Sequence, residues 1–311
     1  MTPDPDPVSI VKWHRHLYLI AAVMTYLLLS SGAVVCITKA SHGCPDWPAC
    51  QGKLIPPAQM KPVIEWSHRL GSVLTLPFII VAVVIGFLRY RRYRWLSWSP
   101  LAGFVLILVV AAFGRWGILY SLSRAGAAAD VGCALAALAA LVAAAVASSR
   151  QDDSTVGDRL SFRGGFAKLS LVTLASVFLV LVSSVLVARK GEVVRCLVWP
   201  VYNGTTKTTD VFGWLQLARI GLSVLSTALV GALVVQAWRT HRNNRRVLLH
   251  ATAAGALLAV ATILGIFIAP DRGIVIPLIS LVPTVAVWGF LVAVVMRVGL
   301  QRSWDSASPI V

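Results

Sequence analysis

Eight runs of about twenty apolar residues restrict the folds open to this chain more than any other feature does. They cover about 17–38, 64–88, 98–120, 126–148, 167–188, 212–238, 247–269 and 273–296. Each run is about long enough to cross a bilayer core of ~30 Å. Because lipid cannot hydrogen-bond the backbone, spanning segments must be helices or strands of a closed barrel, and these runs are too long for barrel strands. We therefore predict an all-α polytopic membrane protein with eight transmembrane helices.

The distribution of charge predicts the orientation of these helices. Only 13% of the 311 residues are charged, whereas a soluble domain carries about 25%. The net charge of +16 could suggest nucleic acid, but the basic residues cluster on one side of an eight-span arrangement. That side carries sixteen of the 28, namely Lys12, Arg15, Arg89, Arg91, Arg92, Arg94, Arg150, Arg159, Arg163, Lys168, Arg239, Arg242, Arg245, Arg246, Arg297 and Arg302. The positive-inside rule places it, with both termini, in the cytoplasm. We expect a protein of the bacterial plasma (inner) membrane that contacts lipid and binds no nucleic acid.

An internal repeat divides the chain into two halves. The polar segment 149–166 separates two sets of four spans, and their first external loops align. Cys44-Pro-Asp-Trp-Pro-Ala-Cys50-Gln-Gly matches Cys196-Leu-Val-Trp-Pro-Val-Tyr-Asn-Gly. We predict an N-terminal half at 1–148, a cytoplasmic linker at 149–166 and a C-terminal half at 167–311.

A second match follows in the same order, where His68-Arg69-Leu-Gly aligns with Ala218-Arg219-Ile-Gly. Four is an even number of spans, so both halves have the same orientation. A pseudo-twofold axis along the membrane normal then relates them as a parallel repeat. The prediction is two four-helix bundles of this kind, with ligands held between the helices of a half.

Two carboxylates, Glu65 and Asp130, fall within the predicted spans, where charged groups are costly and often functional. Glu65 and His68 are three residues apart and share one helix face. A neutral histidine can bind heme iron, and a nearby carboxylate can accept a proton. Alternatively, Glu65, His68 and Arg69 pair at the membrane interface without doing chemistry. The spacing alone leaves both interpretations open.

The cysteines give a second candidate site. Cys44 and Cys50 lie in an external loop with prolines between them and could close a disulfide. Such a pair is either a structural staple or a redox pair that exchanges electrons with a donor. Cys196 lies in the corresponding loop of the other half. We expect Cys36 and Cys133, within or at the edge of spans, to be inert packing residues.

Residues 43–52, followed by Ile55-Pro-Pro and by Ile64-Glu-Trp-Ser-His-Arg-Leu, resemble the first external loop and second helix of heme A synthases. Eight spans in two halves also match that family. The resemblance implies oxidation of a ring methyl of heme O toward the formyl group of heme A, for cytochrome oxidase. One half would hold the heme O substrate and the other a b-type heme. The implied partners are a heme O-producing enzyme and the cytochrome oxidase assembly machinery, and a homo-oligomer stays open.

The resemblance also implies roles for individual residues. His68 corresponds to the axial ligand of the substrate heme iron, and Glu65 to the carboxylate that assists methyl oxidation. Cys44 and Cys50 correspond to an external pair proposed for heme transfer or electron supply. We add Arg69 to the expected heme contacts because it follows the ligand directly.

Several positions depart from the family pattern. Asp130 stands nearest to the second histidine expected in the fourth span, and we include it among the expected heme contacts. In the second half Ala218 and Tyr202 replace the expected histidine and cysteine, and the eighth span contains no histidine. Imidazole ligation of a b-type heme there would need a ligand from elsewhere. Cys36 lies near the position of an expected basic residue.

Three functions are compatible with these residues. The favoured one is a heme A synthase-like oxidoreductase working from the first half, which the retained Glu65 supports. The second is a non-catalytic heme-binding or oxidase-assembly protein of the same fold, which the missing histidines support. The third is a membrane thiol-redox protein or transporter that uses Cys44 and Cys50.

Overall fold

A computed structural model describes residues 11–149, 160–187, 195–201, 210–268 and 273–300. These residues form eight helices: α1 Lys12–Ile37, α2 Met60–Arg89, α3 Arg94–Tyr120, α4 Arg124–Ser148, α5 Gly165–Val187, α6 Val211–Thr240, α7 Arg245–Ile266 and α8 Val275–Gly299. All eight are long and apolar enough to cross a membrane. The prediction of an all-α integral membrane protein is therefore confirmed. Most of the expected linker lies outside the described residues.

Capping side chains mark the starts of three helices, and a glycine allows two helices to approach closely. Ser123, Asp210 and Asn244 stand at the N-caps of α4, α6 and α7, and each side chain accepts a hydrogen bond from a backbone N–H three residues on. Such bonds satisfy amides that the first turn of a helix leaves without partners. Where α2 meets α3, a Cβ on Gly86 would overlap the carbonyl oxygen of Leu96. Only glycine permits this approach of the two helices.

The helices pack as two rings of four. In the first ring α1 contacts α2 and α4, and α3 contacts α2 and α4, so α2 and α4 lie diagonally opposite each other. The helices α5 to α8 repeat this order, and α1, α4, α5 and α8 form the contact between the rings. A twofold exchange of the rings maps α1 onto α5 and α4 onto α8, and it preserves these contacts. This symmetry supports the division into two halves, which stays a prediction.

Hydrogen bonds and a disulfide cross from one ring to the other. The Trp288 indole N–H donates to the Leu135 carbonyl at 2.8 Å, and the Tyr26 hydroxyl donates to the Val282 carbonyl at 3.0 Å. These bonds fix α8 against α4 and α1. Large apolar residues from both rings join a single buried cluster around them.

The disulfide joins Cys36 to Cys196, so the prediction of an inert packing role for Cys36 is wrong. Cys36 lies one residue before the end of α1, on the side of the bundle where the loop carrying Cys196 crosses. The loop of the second half has Tyr202 where the first has Cys50, so Cys196 lacks a partner within its own loop. Cys133 is a half-buried free thiol.

Candidate functional site

The loop between α1 and α2 is closed by a disulfide between Cys44 and Cys50. Both cysteines are fully buried. Between them, the peptide bond before Pro48 is cis. The Asp46 carboxylate accepts hydrogen bonds from the backbone N–H groups of Gln51 at 2.6 Å and Gly52 at 2.7 Å. These backbone amides, that of Gly52 most strongly, lower the pKa of Asp46 below its ordinary value. The loop is therefore tied internally by one covalent bond and one charged acceptor.

Arg69 attaches this loop to α2. Its Nη1 donates to the carbonyls of Asp46 at 2.7 Å and Ala49 at 2.8 Å, and its Nη2 donates to the carbonyl of Cys44 at 2.9 Å. Nη2 also pairs with Glu65 Oε1 at 2.6 Å. Four acceptors thus surround one guanidinium, whose fork of donors suits such an arrangement.

Both carboxylate oxygens of Glu65 are engaged. Oε1 pairs with Arg69, and Oε2 accepts the backbone N–H of Cys44 at 2.9 Å. The Glu65 side chain is 5% exposed and that of Arg69 is 15% exposed. A buried carboxylate needs this kind of pairing to offset its loss of water. The structure thus brings together Glu65, Arg69, Cys44 and Cys50 at the N-terminal end of α2.

His68 makes its contacts with α1 instead. Its Nδ1 lies 2.8 Å from the Ser31 hydroxyl oxygen, while Nε2 has no hydrogen bond within the described part of the chain. A Cβ on Gly32 would lie 3.2 Å from Cε1 of the His68 ring. The missing side chain at position 32 therefore leaves room for the ring against the backbone of α1.

Asp130 lies on the opposite wall of the first ring, on α4. Its Oδ1 is buried and has no hydrogen-bond partner among the residues described. The N-terminal ends of α2 and α4 lie on the same side of the bundle. His68 is about 12 Å along α2 from that end and Asp130 about 9 Å along α4. The ring thus carries an imidazole on α2 and a carboxyl on α4, each roughly two turns from the N-terminal end of its own helix.

No group of three histidine, cysteine, aspartate or glutamate side chains is placed to hold a metal ion within the described ranges. A heme supplies four nitrogens from its own macrocycle and needs only one further ligand from the protein. The imidazole of His68 is a side chain of the first ring that could provide such a ligand.

The second half reproduces the arginine contact and loses the rest. Arg219 Nη2 donates to the carbonyl of Val198 at 3.3 Å, and Val198 is the repeat counterpart of Asp46. Arg219 Nε also donates to the carbonyl of Val180 at 3.1 Å. Leu215 stands at the position of Glu65, so the guanidinium has no matching carboxylate there. Its Nη1 is buried without a hydrogen-bond partner in the described part.

The loop at 195–201 is buried against helices of its own half, and its Cys196 is bonded to α1 of the first half. Trp199 is 2% exposed and belongs to the main hydrophobic cluster, whereas its repeat counterpart Trp47 is 52% exposed. Ser223 binds this segment through a bond from its hydroxyl to the carbonyl of Pro200 at 2.8 Å. The two loops have equivalent sequences but differ in exposure, and the second one fills space in its bundle.

These residues do not fit imidazole ligation of a b-type heme in the second half. Ala218 has no donor atom, and α8 contains no histidine. His241 follows the last residue of α6 and His250 lies near the first residue of α7, at the end of these helices that is far from the loop at 195–201. The Nδ1 atom of His241 contacts the Thr240 hydroxyl, and that of His250 contacts a backbone carbonyl. Around the loop at 195–201, the described residues of this half therefore offer no imidazole to a heme iron.

Four residues of this region have contacts that are not apparent from the sequence. Ser31 and Gly32 belong to a short run of small residues inside an apolar span, and nothing in that run indicates that it faces His68. Cys36 has no partner at a spacing that suggests a disulfide. Asp46 stands out only as part of the loop motif, without a sign that its carboxylate binds two amides of the same loop.

A model of the family described as cytochrome oxidase assembly protein matches residues 15–296. The heme A synthase of Halalkalibacterium halodurans is 29% identical over 112 residues, which are 36% of this chain and 38% of that protein. The heme A synthase of Bacillus mycoides is 27% identical over 103 residues, 33% of each chain. The alignments thus span about a third of the length of these relatives. The match across most of the chain confirms the resemblance, and the protein belongs to the heme A synthase family of cytochrome oxidase assembly proteins.

Proposed function

We propose that this protein is a heme A synthase-like membrane oxidoreductase whose first half binds heme O and oxidises a ring methyl toward heme A. The observation that carries the proposal is the His68 imidazole, whose Nδ1 is held by α1 while Nε2 has no hydrogen bond within the described residues. An imidazole nitrogen with this freedom is suited to bind heme iron. The similar proteins are named heme A synthases, and this name agrees with the proposed product.

Asp130 provides a second reason to place the substrate in the first ring. A buried polar atom without a partner costs free energy, and in a native structure it needs an explanation. A bound molecule with a polar group between α2 and α4 would supply the missing partner of Oδ1. In this proposal His68 would hold the heme iron, and Asp130 would contact the substrate from the diagonal helix.

Glu65 is the residue that distinguishes the two leading functions. In a synthase it would accept a proton or stabilise positive charge during methyl oxidation. Its contacts also support the second candidate, a non-catalytic heme-binding protein of oxidase assembly. Both carboxylate oxygens already hold the loop through Arg69 and Cys44, and this structural task alone accounts for a buried carboxylate.

The contacts of Cys44 and Cys50 favour a structural staple over thiol-redox chemistry. Both side chains are 0% exposed, and thiol–disulfide exchange requires direct access of an attacking thiolate to a sulfur. A redox role would require the loop to leave α2, against the bonds that Arg69 makes. The third candidate function therefore has no support from the geometry of the loop.

We also propose the membrane orientation that the basic residues indicate. Both termini would lie in the cytoplasm of a bacterium, and the loop with Cys44 and Cys50 would lie outside the plasma membrane. The substrate site would then be in the outer half of the bilayer. A heme O-producing enzyme in the same membrane and the oxidase assembly machinery would be its functional partners.

The test compares His68→Ala and Glu65→Gln with the unchanged protein, expressed in a host that makes heme O. For a synthase, His68→Ala loses heme, while Glu65→Gln keeps heme O and yields no hydroxylated or formyl product. His42 is exposed, so His42→Ala is the matched control for the removal of an imidazole. Heme A formation by Glu65→Gln would contradict the catalytic role of Glu65. If the unchanged protein contains unmodified heme and no oxidised product, the assembly function is favoured.

A further inference from the structure

The two short contacts of the Ser31 hydroxyl favour one of the two neutral tautomers of His68. The Ser31 hydroxyl donates to the carbonyl of Leu28 at 2.7 Å, and the same oxygen lies 2.8 Å from His68 Nδ1. A carbonyl can only accept a hydrogen bond, and a hydroxyl has a single hydrogen to donate. That hydrogen is used on Leu28, so the contact between Ser31 and Nδ1 needs an N–H on the imidazole.

This direction agrees with the usual behaviour of serine within a helix. A serine hydroxyl in a helix commonly donates to a carbonyl three or four residues earlier, and Leu28 is three residues before Ser31. The remaining capacity of the oxygen is to accept. A neutral imidazole carries one N–H, so a proton on Nδ1 leaves the lone pair of Nε2 available.

We propose that Ser31 is a positioning residue that holds His68 with its proton on Nδ1, and so presents the Nε2 lone pair to heme iron. The inference rests on the proposed function, because it assumes that His68 binds heme. Histidines that bind metals commonly donate their other N–H to a neighbouring acceptor, which fixes the ring and raises its basicity. Ser31 provides that acceptor from α1, a different helix from the one that carries His68.

Gly32 completes the arrangement. A Cβ there would approach Cε1 of His68 to 3.2 Å and Nε2 to 3.7 Å, so the imidazole lies against backbone at this position. The hydroxyl of Ser31 and the bare backbone of Gly32 together restrict rotation of the ring. Neither residue needs to touch the substrate to act in this way.

The experiment uses the full-length protein in detergent and ferric heme B as the probe, with Ser31→Ala, Ser31→Thr, Ser30→Ala and His68→Ala. Ser30 is the matched control, because it is the neighbouring buried serine and has no hydrogen bond to His68. Two quantities are measured: heme affinity by absorbance titration, and the iron–histidine stretching frequency of the reduced complex by resonance Raman. That frequency reports on the hydrogen bond at Nδ1 and does not depend on turnover.

We expect Ser31→Ala to weaken heme binding about 10- to 100-fold and to lower the iron–histidine frequency. Ser31→Thr, which keeps the hydroxyl, and Ser30→Ala should leave both quantities as in the unchanged protein. Circular dichroism and elution as a single species establish that each variant is folded. Equal effects of Ser31→Thr and Ser31→Ala would overturn the inference, because bulk and not the hydroxyl would then be responsible.

Other outcomes separate the inference from the proposed function. Heme binding that requires His68 but has the same affinity and frequency in Ser31→Ala overturns the role of Ser31 and leaves the proposed function intact. Heme binding that is unchanged in His68→Ala overturns the proposed function and the role of Ser31 together.

Discussion

The disulfide between Cys36 and Cys196 should contribute more to stability than the one between Cys44 and Cys50. It joins residues 160 positions apart and links the two halves, whereas the other joins residues six apart within one loop. A disulfide restricts the unfolded chain, and the restriction grows with the length of chain enclosed. The double variant Cys36→Ser/Cys196→Ser should therefore unfold more easily than Cys44→Ser/Cys50→Ser.

The chain-entropy relation gives the expected size of this difference. For these two separations it predicts contributions of about 5 and about 2 kcal/mol to the free energy of unfolding. Unfolded membrane helices keep much of their structure in micelles, so both figures are upper estimates and the order is the prediction. Arg69 also holds the first loop through three carbonyls. These bonds remain in Cys44→Ser/Cys50→Ser and further reduce the free energy of unfolding that this variant loses.

The free energy of unfolding would be measured by titration with sodium dodecyl sulfate in mixed micelles, followed by tryptophan fluorescence. In a parallel assay, a protease site is inserted between residues 150 and 159 to cut the chain between the halves. The fragments should migrate together on a non-reducing gel, and separately after reduction or in the Cys36→Ser/Cys196→Ser variant. Separate fragments without reductant would refute the link between the halves. A loss of stability no larger than that of Cys44→Ser/Cys50→Ser would refute the argument from chain entropy.

Three further predictions concern single side chains of the first half. Arg69→Leu leaves the buried Glu65 carboxylate without its cation, so the free energy of unfolding should fall by about 3–5 kcal/mol in the same titration. A loss below about 1 kcal/mol, the usual size for an exposed pair, would show that the pair is not buried in solution. Because the pKa of Asp46 is lowered in the folded protein, its carboxylate stabilises the fold at pH values above the ordinary aspartate pKa of about 4. This stabilisation is lost as the pH falls through the lower pKa of the folded state. Asp46→Asn should therefore weaken the dependence of the thermal midpoint on acid pH, and an unchanged dependence would count against the two amide bonds. Asp130→Leu removes a buried oxygen without a partner, so we expect it to raise the thermal midpoint of the heme-free protein while weakening heme binding, whereas a lower midpoint would mean that Asp130 has a structural partner.

Much of the fold follows from local sequence. The eight spans could be predicted because hydropathy alone decides which segments enter lipid, and the caps at Ser123, Asp210 and Asn244 use side chains that favour helix starts. The pairing of Cys44 with Cys50 is one of the two interpretations that a short, proline-bent loop leaves open. The repeat that aligns Arg69 with Arg219 is consistent with the finding that both guanidiniums bind the preceding loop.

The remaining features depend on tertiary packing. The partner of Cys36 is 160 residues away, and it is determined by how α1 meets the second half. Arg69 binds backbone carbonyls, which every residue has, so no side-chain pattern identifies its acceptors. Ser31 reaches His68 only because α1 and α2 pack with these faces together, and a serine in an apolar span gives no indication of its neighbour.

The heme content per chain of the detergent-purified protein decides whether the first half is a heme site. It is measured by pyridine hemochrome spectrum and by the mass of the extracted heme. We predict one heme per chain, as heme O with its hydroxylated or formyl derivative, and its loss in His68→Ala. Protein without heme after expression with heme O available, or full heme content in His68→Ala, would contradict the proposed function.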